Sequence, residues 1–292
     1  MTDIIIESLL DALKDGALSI PILFLAYLLM ELLEHSGRLN EGILHSYSRK
    51  AGPALGGLLG AVPQCGISGA AATLFSTGTI SVGTMLAVFF ATSDEMLPVM
   101  LASLTEGRGL TLGAIAAIVG AKVVMGVALG YLVDAIAKAF FGGQKDISSF
   151  CQRENCDCDD EGSPWKSALV HTLKIALMLI AVNFALNLIL TAVGAERLGG
   201  TVLAMPVLGE LLLALIGLVP NCSISVIITQ GFLSGIIGLG GLFAGLLSNA
   251  GIGLLVLFRT NKNMKENLAI VGILFALSAV SGMLINLIGI AI

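Results

Sequence analysis

Thr92-Ser93-Asp94-Glu95 lies inside an otherwise apolar stretch over 81–103, and its two adjacent carboxyl groups are the most chemically loaded feature of the chain. A charged side chain in hydrocarbon costs about 3 kcal/mol or more unless it is paired, protonated or hydrated, so intramembrane acids are functional by default. Asp94 is the first candidate for holding a cation, with Glu95, Ser93 and Thr92 beside it. Lys122 falls midway along the apolar run 110–139 and is placed to pair with Asp94 or Glu95, as a structural counter-charge or as part of ion coupling. The competing structural reading is a paired acid that only locks two helices together.

Five cysteines add a second kind of ligand: Cys65, Cys222, and Cys151, Cys156 and Cys158 in FCQRENCDCDD. Thiolates select soft or borderline metals, whereas carboxylates and carbonyls suit manganese or magnesium. A metal set of Asp94, Cys65 and Asn249 is the expectation, with Cys151, Cys156 and Cys158 as collectors on the cytoplasmic side. Their Cys-x4-Cys-x-Cys spacing fits no zinc module well, and an acidic loop with incidental thiols explains it equally.

The segments that must position these groups are duplicated. GAVPQCGISGAAATLFSTG, starting at Gly60, returns as GLVPNCSISVIITQGFLSG, starting at Gly217. Pro63 pairs with Pro220, Cys65 with Cys222, Ser68 with Ser225 and Gly78 with Gly235, always 157 apart. Carried further, the same offset sets Asn249 against Thr92 and Gly251 against Asp94, so the acids are not themselves repeated. Paired apolar segments broken by Pro and Gly are the best pointer to a secondary transporter's binding site. Gln64 and Asn221 stand at the breaks, and the helix starts after them would aim free N–H groups near Ser68 and Ser225 at a common spot. Ser248 and Asn249 would complete the site from the second copy. Pro and Gly that merely kink packed helices are the plainer explanation, but the recurrence of the break at matching positions weighs against it.

Composition makes the surroundings a membrane. With 56% hydrophobic and 12% charged residues and 36 glycines, the chain has too little polar surface to cover a globule. Runs of about twenty apolar residues are long enough for a hydrocarbon core of roughly 30 Å. No basic patch interleaved with aromatics points to nucleic acid, no GxxxxGK[ST] loop points to ATP hydrolysis, and no cofactor or enzymatic chemistry is expected. Asp3, Glu7 and Asp11 stand where a cleaved signal would be basic, so the first apolar segment is expected to stay.

The expected fold is all-α, with a first membrane repeat over 1–139, a Cys/Asp-rich linker over 140–166 and a second repeat over 167–292. Each repeat would hold a broken or re-entrant hairpin and about three spanning helices, about ten helices in all. Hairpins give each half three crossings and invert the second half; broken spanning helices give four crossings and parallel repeats. Arg49, Lys50, Arg259, Lys262 and Lys265 belong in the cytoplasm under either arrangement, but Lys138, Lys145 and Lys166 beside the linker do so only with hairpins. Inverted repeats in a plasma (inner) membrane follow, with a cytoplasmic linker and both ends outside. Glu31 and Glu34 on the first helix, and Glu210 in the second hairpin, are further coupling or counter-charge candidates, though Glu34 could simply lie at the surface.

VPQCGISGAAATLFSTG, LAVFFATSDEMLPVML, VPNCSISVIITQGFLSG and LLSNAGIGLL together resemble the bacterial family of ten-helix heavy-metal exporters, whose members are labelled arsenic efflux proteins or manganese transporters. The resemblance covers nearly the whole chain apart from the linker and implies export of a heavy-metal cation or metalloid. Driven by a proton or sodium gradient, such a secondary-active exporter is the leading expectation. Its partners would be the lipid bilayer, a small inorganic ion and the coupling ion, with a homo-oligomer left open. An anion carrier for phosphate, arsenate or carboxylate is the first alternative, since paired helix N-termini suit anions. A transmembrane thiol–disulfide relay through Cys65 and Cys222 is the second, and it leaves Asp94 and Lys122 without a task.

Overall fold

The structure, a computed structural model, describes residues 41–93, 95–105, 110–140 and 207–289, with Phe24, Leu25, Leu28, Leu169, Leu173 and Leu177 besides. The side chains of residues 41–50, 138–140, Cys65, Thr105 and Cys222 fall outside that description. So do Glu31, Glu34, Asp94, Cys151, Cys156 and Cys158, and with them nearly all of the linker.

The helices follow in order: α1 Glu41–Gly60, α2 Cys65–Ser76, α3 Val82–Ala91, α4 Met96–Thr105, α5 Leu112–Phe140, α6 Leu208–Gly217, α7 Cys222–Leu233, α8 Leu239–Ser248, α9 Gly253–Thr260 and α10 Met264–Ile288. No strand occurs among the described residues. The duplication holds to the residue: α2 and α7, and α3 and α8, begin and end 157 positions apart. Their connections are equivalent too. After α2, Gly78 N–H donates to the Phe75 carbonyl and Thr79 N–H to that of Leu74; after α7, Gly235 and Ile236 repeat the pattern onto Phe232 and Gly231. Gly78 and Gly235 have φ of 81° and 73°, the left-handed stop that glycine adopts without a Cβ penalty. In the last helices the offset is 152, since α5 and α10 begin at Leu112 and Met264. α9 is two residues shorter than α4 and the loop before α10 three shorter than the one before α5, which together make the difference of five.

Four segments are long and apolar enough to cross a membrane: Val82–Leu104, Leu112–Ala137, Leu239–Thr260 and Met264–Ile288. The first and third are not continuous helices. The stretch over 81–103, read from the sequence as one unbroken span, stops at Ala91 and restarts at Met96; its copy stops at Ser248 and restarts at Gly253. Local side chains explain the stops. Asn249 Oδ1 accepts the Gly251 N–H at 3.0 Å, and Gly251 turns left-handed at φ 53°. Thr92 Oγ1 donates to the Val88 carbonyl at 2.7 Å, and Ser93 Oγ to that of Ala91 at 3.0 Å. Short polar side chains that bond nearby backbone compete with the helical ladder.

Small residues fix the packing. Gly52, Gly56 and Gly60 lie on one face of α1, against Thr84, Val88 and Ala91 of α3 in that order, so the two helices run in the same direction. A Cβ at Gly60 would come within 2.6 Å of the Val88 carbonyl oxygen. Such small-residue stripes draw membrane helices together where lipid is as apolar as leucine. α5 runs the opposite way along α3: Asp134 lies beside Gly83, Gly130 beside Ala87 and Gly126 beside Ala91. α6 and α8 copy the first arrangement, with Gly217 against Gly245 and Ser248, and α10 copies the second, with Gly282 against Gly240 and Ala244.

The halves meet by exchange. α2 packs against α9, and α7 packs against α4, so each helix that follows a Pro-x-Cys break lies on the opposite half's helix that follows the second break. Ser76 Oγ and Thr260 Oγ1 hydrogen-bond across this contact at 2.6 Å, and Gly253 sits against Ser68 and Phe89. One buried cluster drawn from both halves, including Phe89, Phe90, Met96, Leu246 and Val256, fills the space between.

Candidate functional site

The antiparallel register of α3 and α5 brings Lys122 to the break after α3. Lys122 is 2% exposed, and its Nζ donates to the Thr92 carbonyl oxygen. It is the eleventh residue of α5, about 15 Å in from the start of a segment about 39 Å long, so the break lies well inside the span. An ammonium at the C-terminal end of α3 also meets the negative end of that helix's dipole. Thr92 and Ser93 are buried, while Glu95 is half-buried at the start of α4. The expected partner of Lys122 was Asp94 or Glu95. A main-chain carbonyl freed by the break is one partner it has among the described residues, and Asp94 lies outside them.

The second break has the same shape and different chemistry. Ser248 and Asn249 are buried there. Through the offset of the last helices, Leu274 takes the place of Lys122. Neither the acid nor the ammonium has a copy, so of the two breaks only the first carries charge. Ser278, buried four residues further along α10, has a hydroxyl oxygen with no hydrogen-bond partner among the described residues.

At the Pro-x-Cys breaks, Gln64 and Asn221 occupy equivalent N-cap positions in extended conformation. Asn221 Oδ1 accepts the Ser223 N–H at 2.7 Å, whereas Gln64 makes no side-chain cap. Part of the free N–H array expected near Ser223–Ser225 is therefore already taken. Ser68 and Ser225 are buried one turn into α2 and α7, and Cys65 and Cys222 open those helices at matching backbone positions. Ser68 lies against Gly253, immediately after the second half's other break. A helix start from one half thus adjoins an unwound stretch from the other, and sequence offset alone could not have paired them. Among the described residues no three of His, Cys, Asp and Glu gather to hold a metal.

A family model described as "Putative, 10TM heavy-metal exporter" matches residues 1–208. The chain belongs to this family. No curated protein and no solved structure matches it. The 10TM exporter match spans the first copy of both breaks and ends at the first residue of α6. The family description gives ten transmembrane helices, and with the four apolar segments long enough to cross it makes the chain a multi-pass membrane protein.

Glu210, read from the sequence as a coupling candidate, is 5% exposed in the first turn of α6. It lies apart from both breaks. Asp134, which the sequence reading passed over, caps α3 from outside: its Oδ1 accepts the Gly83 N–H at 2.8 Å and its Oδ2 the Ser81 hydroxyl at 2.7 Å. Its only sequence signal was an acid near the end of an apolar run.

Proposed function

We propose that the protein is a secondary-active exporter of a heavy-metal cation or metalloid, driven by a proton or sodium gradient, with its site at mid-membrane between two inverted repeats. The observation that carries this reading is the reciprocal exchange of helices at the breaks. Each half lends its post-proline helix to the other half's unwound stretch, so a group bound there touches both halves.

The inverted arrangement is supported by directions within these contacts. α2 returns through a tight turn towards the start of α3, and α1 runs parallel to α3, so α1 and α2 form a hairpin that leaves on the side where it entered. α9 ends at Thr260, hydrogen-bonded to Ser76 at the end of α2. The segment α8–α9 therefore finishes where α3–α4 begins, and the two cross in opposite senses. Arg49 and Lys50 in α1, ahead of its glycine face, and Arg259 in the last turn of α9 with Lys262 just after it then share one face, the cytoplasmic one by the positive-inside rule. The linker lies on that face and both chain ends on the other.

In the resting site, Lys122 supplies the positive charge that the Thr92 carbonyl and the Asp94 carboxylate attract. An arriving metal exchanges its water for these oxygens and for Ser93 and Asn249, and displaces the ammonium. Irregular backbone at such depth is tolerated where it lines a polar cavity. The oxygen donors described at both breaks suit manganese ahead of soft metals, and Cys65 and Cys222 would widen the range to arsenite. Because Asn221 covers the Ser223 N–H, anion binding is the weaker reading. Efflux from proteoliposomes loaded with manganese, zinc, arsenite or phosphate tests it: a metal or arsenite should move faster than in empty liposomes, and movement of phosphate alone would overturn the proposal.

A further inference from the structure

We propose that Glu210 is a binding site for the monovalent coupling cation, a proton or sodium ion, separate from the metal site. Its Oε1 accepts the Asn286 side-chain N–H at 3.0 Å, while its Oε2 is buried with no hydrogen-bond partner among the described residues. A buried carboxylate oxygen left bare costs far more than a paired one, so it calls for a positive ligand. None is supplied by the described protein. α7, α8 and α10 pack against α6. α8 carries no titratable side chain and α7 only Cys222, while Lys265 and Glu266 of α10 lie about 30 Å from Asn286 along the helix.

The related place in the first half shows what is missing. Pro53 stands where Glu210 does, Asp134 where Asn286 does, and Ser81 where Gly238 does. There the carboxylate has a donor on each oxygen, Ser81 and Gly83, and needs no ion. In the second half the acid has moved to the neighbouring helix and the hydroxyl has gone, which leaves one oxygen open. Leu213 against Gly241 and Gly217 against Ser248 place Glu210 about 10 Å, seven residues, from the second break along α6. A cation bound there would tie the start of the second hairpin to α10 and so bias the hairpin whose tip adjoins the metal site.

The binding claim stands on this geometry; its role in coupling rests on the exporter reading above. The full-length protein would be measured for radioactive sodium binding at equilibrium, and for the infrared carbonyl band of a protonated carboxyl. Either signal, lost in Glu210→Gln and kept in Asp134→Asn, is expected, and which one is lost identifies sodium or the proton. Asn286→Leu, at an exposed position, should weaken the same signal in a protein that folds. Wild-type and Glu210→Gln proteins that agree in both signals overturn the site. In proteoliposomes, metal efflux by Glu210→Gln should lose its response to the imposed sodium or proton gradient, and an unchanged response overturns the coupling role. Failure of the wild type to move any metal would sink the exporter reading and leave the two binding readouts to decide on Glu210.

Discussion

Replacing Lys122 by Met separates a working charge from a structural one. Met nearly matches the lysine stem in length, so little volume changes at a position that is 2% exposed. Two terms oppose each other. The Thr92 carbonyl loses a charge-assisted hydrogen bond and is left unpaired, a cost of about 1–3 kcal/mol. Against this, the variant no longer has to hold an ammonium out of water, whose effective penalty is several kcal/mol. The net change should stay within about 2 kcal/mol of zero, roughly 4–8 °C in unfolding midpoint by the scaling for domains of about 200 residues. Transport should respond quite differently, because nothing then competes with the metal for the Thr92 carbonyl or returns to reset the site. The assay is thermal unfolding in detergent beside metal efflux from proteoliposomes. Wild-type efflux in Lys122→Met would refute the reasoning, and loss of the folded state would return Lys122 to the role of a lock between α3 and α5.

The exchange between halves predicts coupling across it. Ser76→Ala and Thr260→Ala should each destabilise, and a double-mutant cycle on unfolding should show an interaction of about 0.5–1.5 kcal/mol; additivity would mean that the 2.6 Å contact does not hold the halves together. Gly130→Ala should destabilise by about 1–3 kcal/mol in the same unfolding assay, because the new Cβ would lie 2.7 Å from both the Gly83 carbonyl oxygen and the Ala87 Cβ, with no flexible neighbour to yield. A neutral result there would contradict the close α3–α5 contact that sets the register of Lys122.

The proline breaks were legible because Pro63-Gln64-Cys65 and Pro220-Asn221-Cys222 disrupt apolar runs at a constant offset, and α2 and α7 begin where those motifs say. The second pair of breaks was not. Thr92-Ser93 and Ser248-Asn249 carry no proline, and the apolar character resumes at once with Met96 and Ile252, so a hydropathy pattern runs straight across them. The interruption comes from side chains turning back onto the main chain, which depends on conformation and not on composition. For the same reason the bond from Lys122 to the Thr92 carbonyl could not be read: a carbonyl released by an unwound turn leaves no mark in the sequence. The glycines at 52, 56 and 60 did carry a readable signal, a repeat of four along one helix face, which composition alone hides among 36 glycines. The pairing of Glu210 with Asn286 needed the shift from an offset of 157 to one of 152, which the shortened α9 and the shortened loop before α10 conceal.

Export by this route requires one metal site shared by both halves. Equilibrium binding of manganese to the purified protein, compared with Asp94→Asn in the first half and Asn249→Ala in the second, addresses it most directly. A single class of site weakened at least tenfold by either change is the predicted result, about 1.4 kcal/mol for each lost ligand. Binding that ignores both substitutions, or that splits into independent sites each sensitive to only one, would contradict a site held between the two repeats.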